Sequence, residues 1–550
     1  MISTTPPPPK FLGVTNSDLA FTGKYVIQGN YSGFQIYDLS NPAKPAPVLT
    51  YVCPASQSDV SVYKHLLFVS GEGQTGRVDC GIQGVPEPVS KDRLRGIRIF
   101  DISDMSHVKY VTNVQTCRGS HTHTVVTDPR DKANVYIYVS GSAGVRSAEE
   151  LPGCKDAPID DPTGARFRLE VIKVPLAAPE KAAITTSPRI FNDLAPAPRR
   201  IETRDGVPTT AEAAAAAAAA AEAARPAGAP ANPAPPERAN TGPTQCHDIT
   251  VYPDIGLAGG ACGGYGLLLN IREVAHPQRI DAASDINMSF WHSATLNNDG
   301  TKMLFSDEWG GGGSPRCRDT DKPEWGADAL FALENGKMVF KSYYKIPAPQ
   351  TTLENCVAHN GSLIPIPGRD VMVQAWYQGG ISVFDWTDTA KPKEIAFFDR
   401  GPVDPTRMVM GGSWSVYWYN GIIVSSEIAR GLDVYELVPT GLITQNELDA
   451  AKTVRVDYLN AQEQRKFVWP ASFAKARAFL DQLERDNGLE PEKISAARAN
   501  LVSAEKVSGR ARQQALRTLA TQLTADATSA RDQAKVRMAS SAVTELVNMR

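Results

Sequence analysis

Four of the eight histidines stand at the same point of a recurring strand, and imidazoles gathered in that way are the side chains best suited to chemistry in this chain. The strand starts read Ser17-Asp18-Leu19, Ser58-Asp59-Val60, His123-Thr124-Val125, His247-Asp248-Ile249, His292-Ser293-Ala294, His359-Asn360-Gly361 and Trp414-Ser415-Val416. Neutral imidazole is the usual nitrogen ligand of iron, copper or zinc, so His123, His247, His292 and His359 form a candidate set for one transition-metal ion. His121, two residues before His123, can join that set or replace His123. Glu72, Glu308 and Glu427 end the strands that follow, where a carboxylate would take the second ring N–H and fix each imidazole. The same alignment also suits a structural ring, in which each histidine ties neighbouring strands by hydrogen bonds with the Asp, Asn, Ser or Thr beside it.

Other chemistry is sparse. The chain has no GxSxG elbow, HExxH, phosphate loop or EF-hand pattern. Gly310-Gly311-Gly312-Gly313 lacks the Lys-Ser/Thr of a phosphate loop and reads as a flexible loop, and Asp307-Glu308 is an adjacent acid pair with no partner readable from spacing. A net charge of −3 gives no footprint for nucleic acid. No apolar run reaches membrane-spanning length, and MISTTPPPPK has neither the basic nor the apolar part of a signal peptide.

The cysteines nevertheless point outward. Cys53, Cys80, Cys117, Cys154, Cys246, Cys262, Cys317 and Cys356 are even in number, fall at strand ends and in insertions, and form no CxxC. That pattern predicts disulfides and an oxidising, extracytoplasmic compartment: periplasm, secretion or cell surface. The pairs expected are Cys246 with Cys262, Cys317 with Cys356, Cys53 with Cys117 and Cys80 with Cys154.

The elements that must position these residues repeat. A Gly-led strand such as GFQIYDLSNPAKP from Gly33 recurs from Gly96, Arg168, Gly266, Ala327, Gly380 and Gly431. Ahead of each copy lies an alternating hairpin, and behind it a polar turn and one more apolar run, which makes a four-stranded propeller blade. The seventh unit stops at GLDVYEL without its own last strand, and KFLGVT at 10–15 is the expected substitute, closing the ring and removing sheet edges. The reading is an all-β seven-bladed propeller over 10–440, preceded by a flexible Pro-rich 1–9, interrupted by a low-complexity Ala/Pro insertion at about 203–243, and followed by an α-helical region at 441–550. In that region Thr444–Glu447 is a capping box, Trp469-Pro470 opens a second helix that Asn487-Gly488 stops, and further helices are expected over 491–506 and from 509 onward.

IYDLSNPAKP at 36–45, IFDISD at 99–104 and VFDWTDTAKP at 383–392 resemble the LVIVD-repeat family of bacterial propellers, over about residues 10–440. The resemblance implies the propeller fold and export or surface association, with no single activity attached. A looser, architectural likeness is to carotenoid-cleaving oxygenases, whose propellers hold iron with four axial histidines backed by glutamates; their local sequences are absent here. Two functions follow. The first is an exported interaction module presenting its face to a small molecule or protein. The alternative is a metal-dependent oxidoreductase or oxygenase using the axial histidines.

Overall fold

A computed structural model describes residues 1–198 and 242–549. The insertion expected at about 203–243 lies almost wholly outside the described residues.

Within the described residues, seven antiparallel sheets follow one another along the chain, each a meander in which sequence neighbours pair, with one distant strand added to the seventh sheet and one to the first. Blade 1 is Asn16–Thr22, Tyr25–Asn30, Gly33–Asp38 and Ala46–Val52. The innermost strands of the other blades are Val60–Tyr63, Thr124–Asp128, Cys246–Tyr252, Trp291–Leu296, Gly361–Ile364 and Ser413–Tyr419. Their starts gather at one mouth of the axial channel and their ends at the other. The leading glycine of the repeat has a steric cause: a Cβ on Gly33, Gly96 or Gly380 would run into the carbonyl oxygen of Tyr51, Val114 or Phe398 on the adjacent outer strand.

Gly431 in blade 7 meets the same obstacle, and there the carbonyl belongs to Thr5. The closing strand is therefore Ser3–Thr5, which pairs with Gly431–Tyr435 in the register Ser3↔Val434, Thr5↔Leu432. This corrects the assignment of KFLGVT. The proline run that follows Thr5 lacks the N–H groups to extend a ladder, and Pro9–Phe11 forms a 3-10 turn that buries Phe11.

Four disulfides form among the described residues, with no free cysteine. Cys246–Cys262 and Cys317–Cys356 are as expected. Cys53 pairs with Cys80 and Cys117 with Cys154, correcting the other two expected pairs. Each insertion is pinned to the end of an outer strand close before it, so the loops closed are shorter than the crossed pairing would need.

The helical region contributes more than an appendage. Residues between α1 (Gln445–Ala451) and α2 (Phe473–Arg485) cross the far mouth of the channel as a strap. Tyr458–Asn460 adds an antiparallel strand to the inner edge of blade 1, opposite Ala20–Thr22. Asn460 then pairs with blade 2 through its side-chain amide, accepting from Val62 N at 2.7 Å and donating to Val62 O at 2.9 Å. Val251 of blade 4 exchanges backbone bonds with Gln462 O and Gln464 N, and the Gln464 amide takes both backbone groups of Leu296 in blade 5 at 2.7 Å. Trp469 Nε1 donates to Pro365 O beside blade 6. Inner strand edges carry unpaired peptide groups, and an Asn or Gln amide, a donor and acceptor in one plane, substitutes for a neighbouring peptide.

The capping box at Thr444 and Glu447 is present. The second helix starts later than Trp469-Pro470, with Ser472 as N-cap, and ends where Asn487 adopts φ 51. After α3 (Pro491–Glu505), the stretch from 509 is two helices, α4 (Gly509–Asp526) and α5 (Gln533–Val547). Leucine and alanine side chains of α2 to α5 share one apolar core, and Glu447 anchors the bundle to blade 6 by accepting from Arg369 and Arg485, each at 2.9 Å.

Candidate metal centre at the open mouth

At the mouth where the inner strands begin, four imidazoles run edge to edge. His121 lies 4.5 Å from His247 between ring centroids, His247 lies 4.0 Å from His292, and His292 lies 4.1 Å from His359. His121 thus takes the place that strand alignment gives to His123. The ordered strand of blade 3 starts only at Thr124, and Gly119, at φ +69, turns the preceding loop so closely over Glu72 that a Cβ would strike the Glu72 backbone. His123 is buried deeper, its Nδ1 2.8 Å from Ser70 Oγ and 3.4 Å from Asp59 Oδ2.

Three of the four rings are held by the nitrogen on one side. His121 Nδ1 meets Glu72 Oε1, His247 Nδ1 meets Asp248 Oδ1 at 3.0 Å, and His359 Nδ1 meets the carbonyl oxygen of Trp414. An acceptor on Nδ1 places the proton there and leaves Nε2 as a lone-pair donor, the form a metal ligand needs. Glu72 is itself steadied by Ser142 Oγ at 2.7 Å.

Glu308 occupies the other side of the rings. Its Oε2 is 3.8 Å from His292 Nε2 and its Oε1 is 3.6 Å from His359 Nε2, while Oε1 accepts the phenolic hydrogen of Tyr377. The potential ligand atoms of His292, Glu308 and His359 lie within 4.8 Å of one another, as do those of His247, Asp248 and His292. His292 Nδ1 and His359 Nε2 are buried with no hydrogen-bond partner among the described residues. Of the expected carboxylates, Glu72 orients a ring, whereas Glu308 stands in ligand range. Glu427 is spent elsewhere: it accepts from the backbone N–H groups of Gly412, Ala429 and Arg430.

Electrostatics keep the inner imidazoles neutral. Burial holds His359 down at about 3, helped by the charge of His247, and burial with the neighbouring histidines holds His292 well below the usual range. For His247 burial also acts downward, but Asp248, then Glu308 and Glu72, outweigh it and raise the ring. Burial pushes the Glu308 carboxyl up against the opposing pull of His247 and Tyr377.

Sequence reasoning passed over Tyr377, which follows the second strand of blade 6 in the place that Glu72, Glu308 and Glu427 hold in theirs or nearby. The glycine run 310–313, expected to be a flexible loop, is packed: Gly312, at φ +68, lies so near the Tyr377 phenol that a Cβ would overlap it, and its carbonyl accepts from Asn355 at 2.8 Å. Trp309, Trp325, Val357, Tyr377, Trp414 and Ile428 form an apolar wall around this corner of the mouth.

No family model matches the sequence and no curated protein is similar to it. Among solved structures the chain is similar to the periplasmic gluconolactonase of Pseudomonas aeruginosa, at 10% identity and a TM-score of 0.44 over 83% of this chain and 99% of that one. It is also similar to hydrazine synthase of Kuenenia stuttgartiensis, at 10% identity and a TM-score of 0.42 over 76% of this chain and 93% of that one.

Proposed function

We propose that the open mouth is a transition-metal centre held by His121, His247, His292 and His359, with Glu308 beside them, and that the protein is an extracytoplasmic metal-dependent oxidoreductase. One observation carries this reading: three imidazoles have Nδ1 committed to an acceptor, and the Nε2 atoms of His292 and His359 face one carboxylate. Two buried ring nitrogens of the group, His292 Nδ1 and His359 Nε2, have no hydrogen-bond partner among the described residues, and a buried unpaired acceptor costs about 1–3 kcal/mol. The separations of Glu308 from His292 and His359, 3.8 and 3.6 Å, are near what an ion requires, since two ligands at about 2.0–2.2 Å and a tetrahedral angle stand roughly 3.4 Å apart. Imidazole with carboxylate suits iron, copper or zinc, and the oxidoreductase reading requires iron or copper.

Such an ion would supply Lewis acidity or one-electron chemistry at an open coordination position. The protein's own contributions are separate. Glu72, Asp248 and the Trp414 carbonyl fix the rings before binding, so little ordering entropy remains to be lost. The strap across the far mouth leaves substrate a single entrance. The aromatic wall keeps bulk water from one side of Glu308, which strengthens every charge interaction there. Four disulfides support the oxidising compartment, and no helix among the described residues is long and apolar enough to cross a membrane.

The interaction-module reading draws on exposed apolar side chains near the same mouth, Tyr31 and Phe290 among them. X-ray absorption on untagged protein supplied with iron or copper separates the two. The metal centre predicts a light N/O shell with imidazole outer-shell scattering, and an aquo-ion spectrum would contradict it.

A further inference from the structure

Three aromatic side chains lead from the histidines to the surface. Tyr377 has no exposed surface, lies 4.7 Å from His359 between ring centroids, and gives its phenolic hydrogen to Glu308. Trp414 lies 5.3 Å from His359 and 6.4 Å from Tyr377. Tyr31 lies 6.5 Å from Trp414 and is 41% exposed, in the turn between the second and third strands of blade 1.

Tyrosine and tryptophan are the side chains most readily oxidised by one electron, and neighbouring rings in or near contact pass electrons far faster than isolated ones. A phenol must release its proton as it is oxidised, so a tyrosine already bonded to a carboxylate is the easiest of its kind to oxidise. Packing alone would be served by phenylalanine at 377; the hydroxyl is there for Glu308.

We propose that Tyr31, Trp414 and Tyr377 form an electron path through which an external one-electron donor refills the metal centre. The proposal rests on the redox-metal reading for its oxidant, dioxygen or a peroxide acting at the centre. One electron leaves Tyr377 for the centre, and the phenolic proton moves along the existing bond to Glu308. An electron from Trp414 then restores Tyr377, which recovers its proton from Glu308. Tyr31 refills Trp414 and releases its own proton to water, and the external donor supplies the electron, with water the proton, that restores Tyr31. No covalent bond other than O–H is made or broken, and one electron crosses per cycle.

The path can be tested without any ion. Full-length, metal-stripped protein is flash-oxidised with photogenerated ruthenium(III) tris-bipyridine, and radicals are read by electron paramagnetic resonance. The path predicts a long-lived tyrosyl signal that Tyr377→Phe abolishes and that Trp414→Phe lowers several-fold. Tyr31→Phe, which changes only an exposed residue, should lower it as well and guards against misfolding of the Trp414 variant. A signal untouched by Tyr377→Phe, or equal in wild type and in Tyr31→Phe, overturns the proposal whether or not the protein binds metal. Failure to bind iron or copper would instead remove the centre while leaving the radical assignment readable.

Discussion

At the sealed end of the channel the inner strands meet Asn460 and Gln464, whose side-chain amides pair with both backbone groups of Val62 and of Leu296; at the open end the strands begin in imidazoles, three of which, His123, His292 and His359, keep a buried nitrogen unpaired among the described residues. The ends share one architecture, so the contrast lies in the residues alone. At the sealed end donors are mostly matched to acceptors, with the Gln462 amide and the Ser61 hydroxyl buried without a partner among the described residues. Electron pairs left free at a desolvation cost are what the proposed ion at the open end would use.

The largest expected effect comes from removing the sealed end altogether. A chain cut after residue 440 loses the strap and the bundle, and with about five inter-blade pairs at roughly 1 kcal/mol each it should lose about 5 kcal/mol or more. Chemical denaturation checks this, and a truncated chain as stable as the whole one would dissolve the contrast.

Asn460→Ala is the sharper version. It strands both backbone groups of Val62 in a buried setting, at a cost of about 2–4 kcal/mol, and should leave metal content unchanged. Loss of metal together with stability would mean that the two ends are not separable.

At the open end Glu72→Gln should do the reverse. Weakening the group that orients His121 should cost roughly 10–100-fold in metal affinity, measured by competition with a chelator, while the melting temperature stays close to wild type.

Acidity should pull the ends in opposite directions, and this is the smallest effect. Burial raises Glu463 in the strap from 4.5 to about 7, so the support of its neutral form is complete below pH 4.5 and is lost as pH rises through 7. His359 is lowered from 6.5 to about 3, so its neutral form supports the fold fully above pH 6.5 and that support is lost as pH falls toward 3. Metal-free Glu463→Gln should therefore lose less melting temperature than wild type between pH 5 and pH 8. Parallel curves would remove Glu463 from the account.

Much of the architecture was legible because it is repeated. Five of the seven blades announce themselves by Gly-led strands, four of them with the glycine compelled by one recurring backbone contact, and three of the four histidines in register lie at the open mouth. What escaped was not periodic. Ser3–Thr5 is too short to show alternation, and KFLGVT looks the better strand until the proline run before it is counted. His121 displaces His123 because a glycine turn, not strand parity, sets its direction. The strap shows only as Asn460-Ala461-Gln462-Glu463-Gln464, a run of amides whose role depends on strand edges supplied by blades hundreds of residues away.

The central claim is that the open mouth binds a transition ion through histidine nitrogens that the fold leaves unpaired. Elemental analysis of untagged protein, dialysed against iron, copper and zinc salts and then freed of loose ions, tests it most directly when His121→Ala, His292→Ala and His359→Ala are run beside the wild type. The account predicts an ion retained by the wild type and lost from each variant, even where the buried His292→Ala and His359→Ala also lower the melting temperature of the metal-free protein. Wild-type protein that retains no ion, or variants that keep it and differ only in a lowered melting temperature, would show the histidines to be structural.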